Sequence, residues 1–226
     1  LKEDGSVITW GRDISGGDSS KVASQLSEGV INIVSTYSAF AALKEDGSVV
    51  VWGYDDNSNE QAGDASDVSN YLKDNVAEIY STDRAFAVLK KDGSVVTWGH
   101  KYGGGDPRKT DYEILNLLSS GVKEIKQSRT AFAALKEDGT AVSWGGYMYT
   151  ALLTADPDNN HSIKEIHLNN NDLIYEKIDG SLALAGFDSG DESFEVGPST
   201  IVTTIKVRLN DGSFSEEIID IKDIYP

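Results

Sequence analysis

Short apolar runs alternate with polar turn clusters along the chain, and one run keeps returning. LKEDGSVITWG (1–11) is followed by LKEDGSVVVWG (43–53), LKKDGSVVTWG (89–99), LKEDGTAVSWG (135–145) and a decayed EKIDGSLALAG (176–186). Their Asp-Gly pairs start at 4, 46, 92, 138 and 179, in steps of 42, 46, 46 and 41 residues. Asp-Gly between apolar runs predicts a hairpin, because Gly supplies the positive φ of the turn. The β-branched and aromatic run after it predicts a strand. Upstream, GVINIVSTYSAFAA (29–42), NVAEIYSTDRAFAV (75–88), GVKEIKQSRTAFAA (121–134) and SIKEIHLNNNDLIY (162–175) keep one register, with Ile33, Ile79, Ile125 and Ile166 each 13 residues ahead of the Asp. GVxxIxS reads as an alternating strand and AFAALK as a buried one. Each unit therefore predicts three strands and leaves room for a fourth.

Between these blocks lie the variable stretches 12–28, 54–74 and 100–120. Val22/Leu26, Val68/Leu72 and Ile114/Leu118 stand at i,i+4 within them, and Asp18 and Asp64 are placed to cap a short helix. One or two helical turns are expected there, against an extended loop with two apolar anchors. A unit of about 40–50 residues with three or four strands is the size of a propeller blade. The predicted fold is all-β: a propeller of about five blades spanning 1–186, in units 1–11 (partial), 12–53, 54–99, 100–145 and 146–186. Trp10, Trp52, Trp98 and Trp144 are expected between adjacent blades, with the small residues of AFAA letting the sheets approach. The tail, 187–226, does not follow the repeat. It would either complete the first blade by strand addition or cap an open arc, and the open arc is the reading adopted.

Charge and composition narrow the function. The chain of 226 residues carries 37 Asp+Glu against 20 Lys+Arg, a net −17, with three His and no Cys. Lack of Cys excludes disulfides, thiolate metal sites and thiol nucleophiles. The acidity argues against nucleic acid and anionic membranes, both of which need Lys and Arg. No apolar run reaches the roughly 18–20 residues of a membrane helix, so membrane insertion is not expected. No Ser elbow, zinc helix or phosphate loop is present; GGGDP (103–107) lacks the Lys-Ser/Thr that a phosphate loop requires. No catalytic residue, metal ligand or cofactor is assigned. The acidic stretches 55–60 and 156–160 and the pair Asp64/Asp67 match no calcium loop.

The repeat resembles the regulator of chromosome condensation (RCC) family, whose units carry GVxxIxxGxxHSxAL–xDGxVxxWG. GVKEIKQSRTAFAALKEDGTAVSWG (121–145) is the clearest copy, and the likeness runs through 1–186. It is similar in flavour to bacterial members, including propeller-type β-lactamase inhibitor proteins and large acidic surface repeat proteins. Ser38, Arg84, Thr130 and Asn171 stand where the family has His, and the family's N-G-Q-L-G loop after Trp-Gly is missing. The resemblance implies binding of other proteins through loops on one face of the propeller. It does not carry over chromatin binding, for which this chain lacks a basic surface.

Two loop sets are the candidate binding surface. The first lies between IxS and AFAA, where Tyr37, Asp83, Arg129 and Asn170 vary within a constant frame. The second follows Trp-Gly and holds Tyr54, Tyr102, Tyr147 and Tyr149, a residue type favoured at hot spots. Lys2, Lys44, Lys90, Lys136 and Lys177 recur as a rim of surface charge. The expected function is a non-enzymatic binding or scaffold module of a bacterial surface or secreted protein. It would act in adhesion, self-assembly or protein and glycan binding, with self-association in trans through the incomplete first unit. An inhibitor docking a single enzyme is the alternative, followed by an enzyme with an acidic site at the propeller mouth.

Overall fold

The computed structural model describes residues 1–54, 62–106, 112–146, 152–153, 163–168, 172–178, 180, 182–186, 193–196, 202–208 and 214–220. Four antiparallel sheets follow one another along the chain. The first holds β1 (Val30–Ser35), β2 (Ala39–Lys44) and β3 (Val49–Gly53); the second holds β4 (Val76–Ser81), β5 (Ala85–Lys90) and β6 (Val95–Gly99). The third holds β7 (Val122–Gln127), β8 (Ala131–Lys136) and β9 (Ala141–Gly145), with β10 (Leu152–Leu153) as a short fourth strand. The fourth holds β11 (Ile163–Leu168), β12 (Asp172–Lys177), β13 (Leu182–Gly186) and β14 (Ser193–Val196). β15 (Val202–Arg208) and β16 (Phe214–Asp220) pair with each other in a separate sheet. All-β architecture and three strands per unit are as expected.

The opening strand of each blade departs from simple alternation. Val30 and Ile33 are three apart, which would put them on opposite sides of a regular strand. The register shifts at Val30/Asn32, Val76/Glu78, Val122/Glu124 and Ile163/Glu165, one bulge at the same place in all four blades. The bulge residues Ile31, Ala77, Lys123 and Lys164 are exposed. An extra residue restores the phase, so Val76 with Ile79, Val122 with Ile125 and Ile163 with Ile166 are all buried.

The middle strand sets the packing. Its alternate residues face opposite neighbours. Ala39 and Ala41 join Ile79, Phe86, Val88 and Trp98 of the next blade. Ala85 and Ala87 do the same for Ile125, Phe132, Ala134 and Trp144, and Ala133 for Ile163, Ile166 and Tyr175. Each Phe is cross-strand to its Trp, with ring centroids 5.2 Å apart for Phe40–Trp52, 5.1 Å for Phe86–Trp98 and 5.5 Å for Phe132–Trp144. The indole N–H of Trp52, Trp98 and Trp144 donates to the carbonyl of Gly16, Ala62 and Gly104 at 3.0, 3.0 and 3.1 Å. Aromatic area, ring geometry and a satisfied N–H thus meet at one point in each blade.

Trp10 breaks the pattern. Its sequence context predicts a place between blades, but it is 84% exposed, while Trp52, Trp98 and Trp144 are 6%, 4% and 1% exposed. The physical reason is the lack, among the described residues, of a Phe-bearing strand paired to its own strand.

The Asp-Gly hairpins bind one blade to the next. Gly5, Gly47, Gly93 and Gly139 have φ of +74°, +80°, +79° and +82°. Their carbonyls accept from the amides of Val30, Val76, Val122 and Ile163, the first residues of the following blades, at 2.9–3.0 Å. A Cβ on Gly93 would stand 2.9 Å from the Gly121 nitrogen, so this turn requires glycine for both reasons. Asp4, Asp46 and Asp92 each accept the amide and hydroxyl of the Ser two residues on. The variable stretches contain the expected helical turns: 3₁₀ turns at Ser20–Val22 and Ser66–Leu72, and the helix α1 (Tyr112–Leu117). Asp18 and Asp64 accept the amides of Ser20 and Ser66, and Leu26, Leu72 and Leu118 are buried. The rim lysines also tie these turns down. Lys90 donates to the Tyr71 carbonyl and Lys136 to those of Leu117 and Ser120, at the ends of the helical segments.

The packing leads to two stability predictions. Trp144→Phe leaves the buried Gly104 carbonyl without a donor and should lower stability by about 1–3 kcal/mol, whereas Trp10→Phe should stay within about 0.5 kcal/mol; urea midpoints compare them directly. The turn carboxylates set an acid limb. Hydrogen bonds from Ser6 hold the pKa of Asp4 at about 2, and those from Ser48 and Ser94 lower Asp46 and Asp92. An unfolded Asp titrates near about 3.9, so the unfolded chain binds more protons in this window. The stabilisation is complete above about pH 4 and is lost as pH falls toward about 2. Asp46→Asn and Asp92→Asn should flatten that limb in pH-resolved urea melts.

Candidate functional site

The end of the blades opposite the Asp-Gly turns collects both predicted loop sets. Each tip begins with a hydroxyl residue. Thr36, Thr82 and Ser128 accept from the amides of Ala39, Ala85 and Ala131 at 3.0–3.1 Å, and their own amides donate to the carbonyls of those same residues. This local hydroxyl-to-backbone closure fixes a tight tip. Tyr37, Asp83 and Arg129 occupy the next position in each.

The tips are joined across blades. The Tyr37 amide donates to the Asp83 carbonyl at 2.9 Å, and the Asp83 amide to the Arg129 carbonyl at 2.8 Å. Side chains follow the same line. Arg129 Nε donates to Asp83 Oδ2 and Nη2 to the Tyr37 hydroxyl, each at 2.7 Å. The guanidinium is held charged by its bonds to Tyr37 and Asp83. Tyr37 is 62% exposed, as is the Arg129 side chain, while that of Asp83 is 25% exposed. Three of the four expected first-loop residues therefore form one row. Asn170, the fourth, lies outside the described residues.

The second loop set runs beside this row. The amides of Tyr54 and His100 donate to the carbonyls of Ser38 and Arg84, at 2.8 and 3.0 Å, and that of Gly146 to Tyr102. Tyr54 and Tyr102 are exposed at the surface. Tyr102 packs on the His100 ring at 5.5 Å between centroids and carries Lys101 Nζ at 5.0 Å from its own. Arg84 is exposed between the two sets. Tyr147 and Tyr149 lie outside the described residues, as do the acidic stretches 55–60 and 156–160.

Sequence reasoning missed three features. The tip hydroxyls are structural: Thr82 is buried and also donates to the Gly103 carbonyl at 2.9 Å. The Gly-rich 103–105 seats an aromatic pair, since a Cβ on Gly104 (φ +92°) would lie 2.6 Å from the Phe132 ring. A small residue followed by Gly recurs at 16–17, 62–63 and 104–105, and that recurrence was the available signal. The third feature is a cluster on β11 and β12. His167 Nε2 lies 3.1 Å from Glu176 and 4.0 Å from Glu165, with the donor atoms within 4.8 Å of one another. This trio has the donors to hold a cation, but Lys164 already takes one Glu176 oxygen, and Lys164 and His167 lower that carboxylate's pKa. Its signal was the cross-strand pairing of 165 with 176. Away from these groups, a groove of about 440 Å³ runs between β3 and the Ser66–Leu72 turns, lined by Val49, Val51, Ser69 and Leu72.

Successive antiparallel blades interlocked through Phe, Trp and small residues define a β-propeller architecture of the RCC type. Among solved structures, Prp20p of Saccharomyces cerevisiae, described with its binding properties to Gsp1p and histones, is similar at TM-score 0.50 and 16% identity, over 91% of this chain and 68% of its own. Human WBSCR16 is similar at TM-score 0.45 and 14% identity, over 70% of this chain and 47% of its own. The chain thus spans less than half of one and about two thirds of the other. No protein-family model and no curated protein matches the sequence.

The tip geometry predicts a split between frame and surface. Thr82→Val leaves the buried Ala85 amide and Gly103 carbonyl unpaired and should cost about 1–3 kcal/mol. Arg84→Ala, at the exposed neighbour, should change stability by no more than about 0.5 kcal/mol. Thermal melts of the two variants check this.

Proposed function

We propose that the chain is a non-enzymatic protein-binding module whose recognition surface is the tip row Tyr37–Asp83–Arg129 with Arg84, Lys101 and Tyr102 beside it. One observation carries the reading. Residues that vary from blade to blade sit at equivalent positions, and backbone hydrogen bonds lock those positions together. A rigid array of exposed Tyr and Arg is suited to recognition, because both types dominate hot spots and little ordering entropy remains to be lost. Binding by Prp20p of Gsp1p and histones supports protein ligands for this architecture in general.

The chemistry favours a partner presenting carboxylates and aromatic rings. Arg84, Lys101 and Arg129 gather on a chain of net −17, so a local basic spot faces outward from an acidic body that repels acidic partners elsewhere. Asp83, the acid of this row, is ion-paired with Arg129 at 2.7 Å. That pairing orients the guanidinium for recognition. Narrower forms of the reading are adhesion or scaffold assembly on a bacterial surface or in a secreted protein, glycan retention, self-association, and docking to one target enzyme as an inhibitor.

Affinity capture with the intact chain, run beside Tyr37→Ala and Arg129→Ala, tests it. A stoichiometric protein partner should be held by the parent chain and lose affinity about tenfold or more in either variant. Equal capture by all three chains would refute this surface as the binding site. Equal retention on glycan arrays would move the reading to carbohydrate.

A further inference from the structure

One corner of the fourth blade collects three donors that the first three blades do not bring together. Glu165 on β11 stands directly opposite Glu176 on β12, and His167 is two residues on from Glu165. Side chains two apart on a strand share a face with their cross-strand neighbour, so the backbone aims all three at one spot. His167 Nε2 lies 3.1 Å from Glu176 Oε2 and 4.0 Å from Glu165 Oε2, and the donor atoms lie within 4.8 Å of one another. Zinc bonds of about 2.0–2.2 Å place neighbouring ligand atoms roughly 3–3.5 Å apart, so these atoms need little movement to share one ion. Lys164 takes Glu176 Oε1, and Oε2 is the oxygen turned to the imidazole. Carboxylates that ligate a metal are themselves hydrogen-bonded in this way.

The repeat register supplies a second observation, because this corner departs from the blade's own rule. Asn32, Glu78 and Glu124 stand opposite Leu43, Leu89 and Leu135, which are all buried. Glu176 takes the place of that leucine, and only 23% of its side chain is exposed. His167 takes the place of Val34, Tyr80 and Lys126. In the second and third blades the single Glu is matched by a group two residues on. Tyr80 donates to Glu78, and Lys126 pairs with Glu124. In the fourth, two opposed carboxylates meet an imidazole that is mostly neutral at pH 7. Like charges directly opposite each other are destabilising, and Lys164 balances one of the two.

We propose that Glu165, His167 and Glu176 bind a divalent first-row transition ion of the zinc type. The nitrogen donor sets the class. Imidazole suits zinc, copper and nickel, whereas calcium takes six to eight oxygens, more than this corner offers. Three protein donors leave a fourth position for water. The ion neutralises the remaining carboxylate charge and ties β11 to β12 through side chains as well as backbone. It thereby accounts for an acid at a position that is leucine in the first three blades. The site is separate from the tip row and does not rest on it.

The test uses the full chain, stripped of metal with a chelator, and zinc alone as the probe. Binding is read by isothermal titration calorimetry and by the ring-nitrogen NMR signals of the three histidines. Saturable binding of one zinc ion is expected, with the Nε2 signal of His167 moving and those of His100 and His161 staying in place. His167→Ala and Glu176→Gln should each weaken the site about tenfold or more, with metal-free urea midpoints showing that both variants fold. Glu176→Leu restores the residue of the other blades and should remove zinc binding with the fold kept. Zinc affinity unchanged in these variants, or a zinc-induced shift at another histidine alone, would overturn the site. Calcium held more tightly than zinc would overturn the choice of ion. Arg129→Ala should leave zinc affinity unchanged, which separates this outcome from that of the tip surface.

Discussion

Everything else in this molecule depends on the Phe–Trp stack within each blade and the small residues that close over it. The two rings are cross-strand neighbours 5.1–5.5 Å apart. They fill one side of the sheet and need a cover with almost no side chain of its own. Ala39 and Ala41 provide that cover for the second blade, and Ala85 and Ala87 for the third. From the other direction comes a loop carbonyl that satisfies the indole N–H. A bulkier cover would push the sheets apart and a polar one would be left unsatisfied. The interlock therefore explains why AFAA and Trp-Gly recur while the connecting stretches diverge.

This interlock also determines where variation is tolerated. At one end of the blades, the Asp-Gly turns bond to the next blade's first strand, so Gly and Asp are constrained. At the other end, the hydroxyl that closes each tip, the backbone between tips and the glycines beneath the aromatic pairs are constrained. The residue after the hydroxyl is free to differ, and it becomes Tyr37, Asp83 and Arg129. Because the frame supplies the backbone bonds, each substitution alters surface chemistry without changing its position. The Arg129–Asp83 contact illustrates the consequence: exposed ion pairs contribute little to stability, so its value is in orienting a guanidinium beside a tyrosine.

Much of this was legible in the sequence, for identifiable reasons. Repeat length, Asp-Gly hairpins and β-branched runs are local signals, and they placed β2, β3, β5, β6, β8 and β9. The row of Tyr37, Asp83 and Arg129 was legible because a constant register marks equivalent positions. What escaped is what depends on contacts between distant residues. Val30 and Ile33 looked like alternation, and only pairing with β2 reveals the bulge between them. Trp10 stands in nearly the same sequence context as its three buried counterparts, and its exposure goes with the lack, among the described residues, of a Phe-bearing strand paired to its own, which local sequence does not record. The glycines at 16–17 and 104–105 fall in the variable stretches, and the indoles whose N–H groups Gly16 and Gly104 accept lie 36 and 40 residues downstream.

The blade also has a direction. Its middle strand turns alanines toward the next blade and Phe toward the previous one, so the two faces differ and the contact between blades is heterologous. Such a contact does not terminate itself: each added blade exposes the same forward face that the last one did. The fourth blade carries changed residues at the positions that face the third. Tyr175 replaces the small residue of the middle strand, and Ala185 replaces the Trp. Tyr175 is completely buried against Ala133, Leu135 and Ala141, filling with one ring the space between the third and fourth blades. Burial pushes its phenol up. The decay of the repeat is thus a repacking of the last described interface, in which the large side chain moves from the third strand to the second. The first blade, by contrast, carries the unmodified Phe and Trp of an internal one, Phe40 and Trp52.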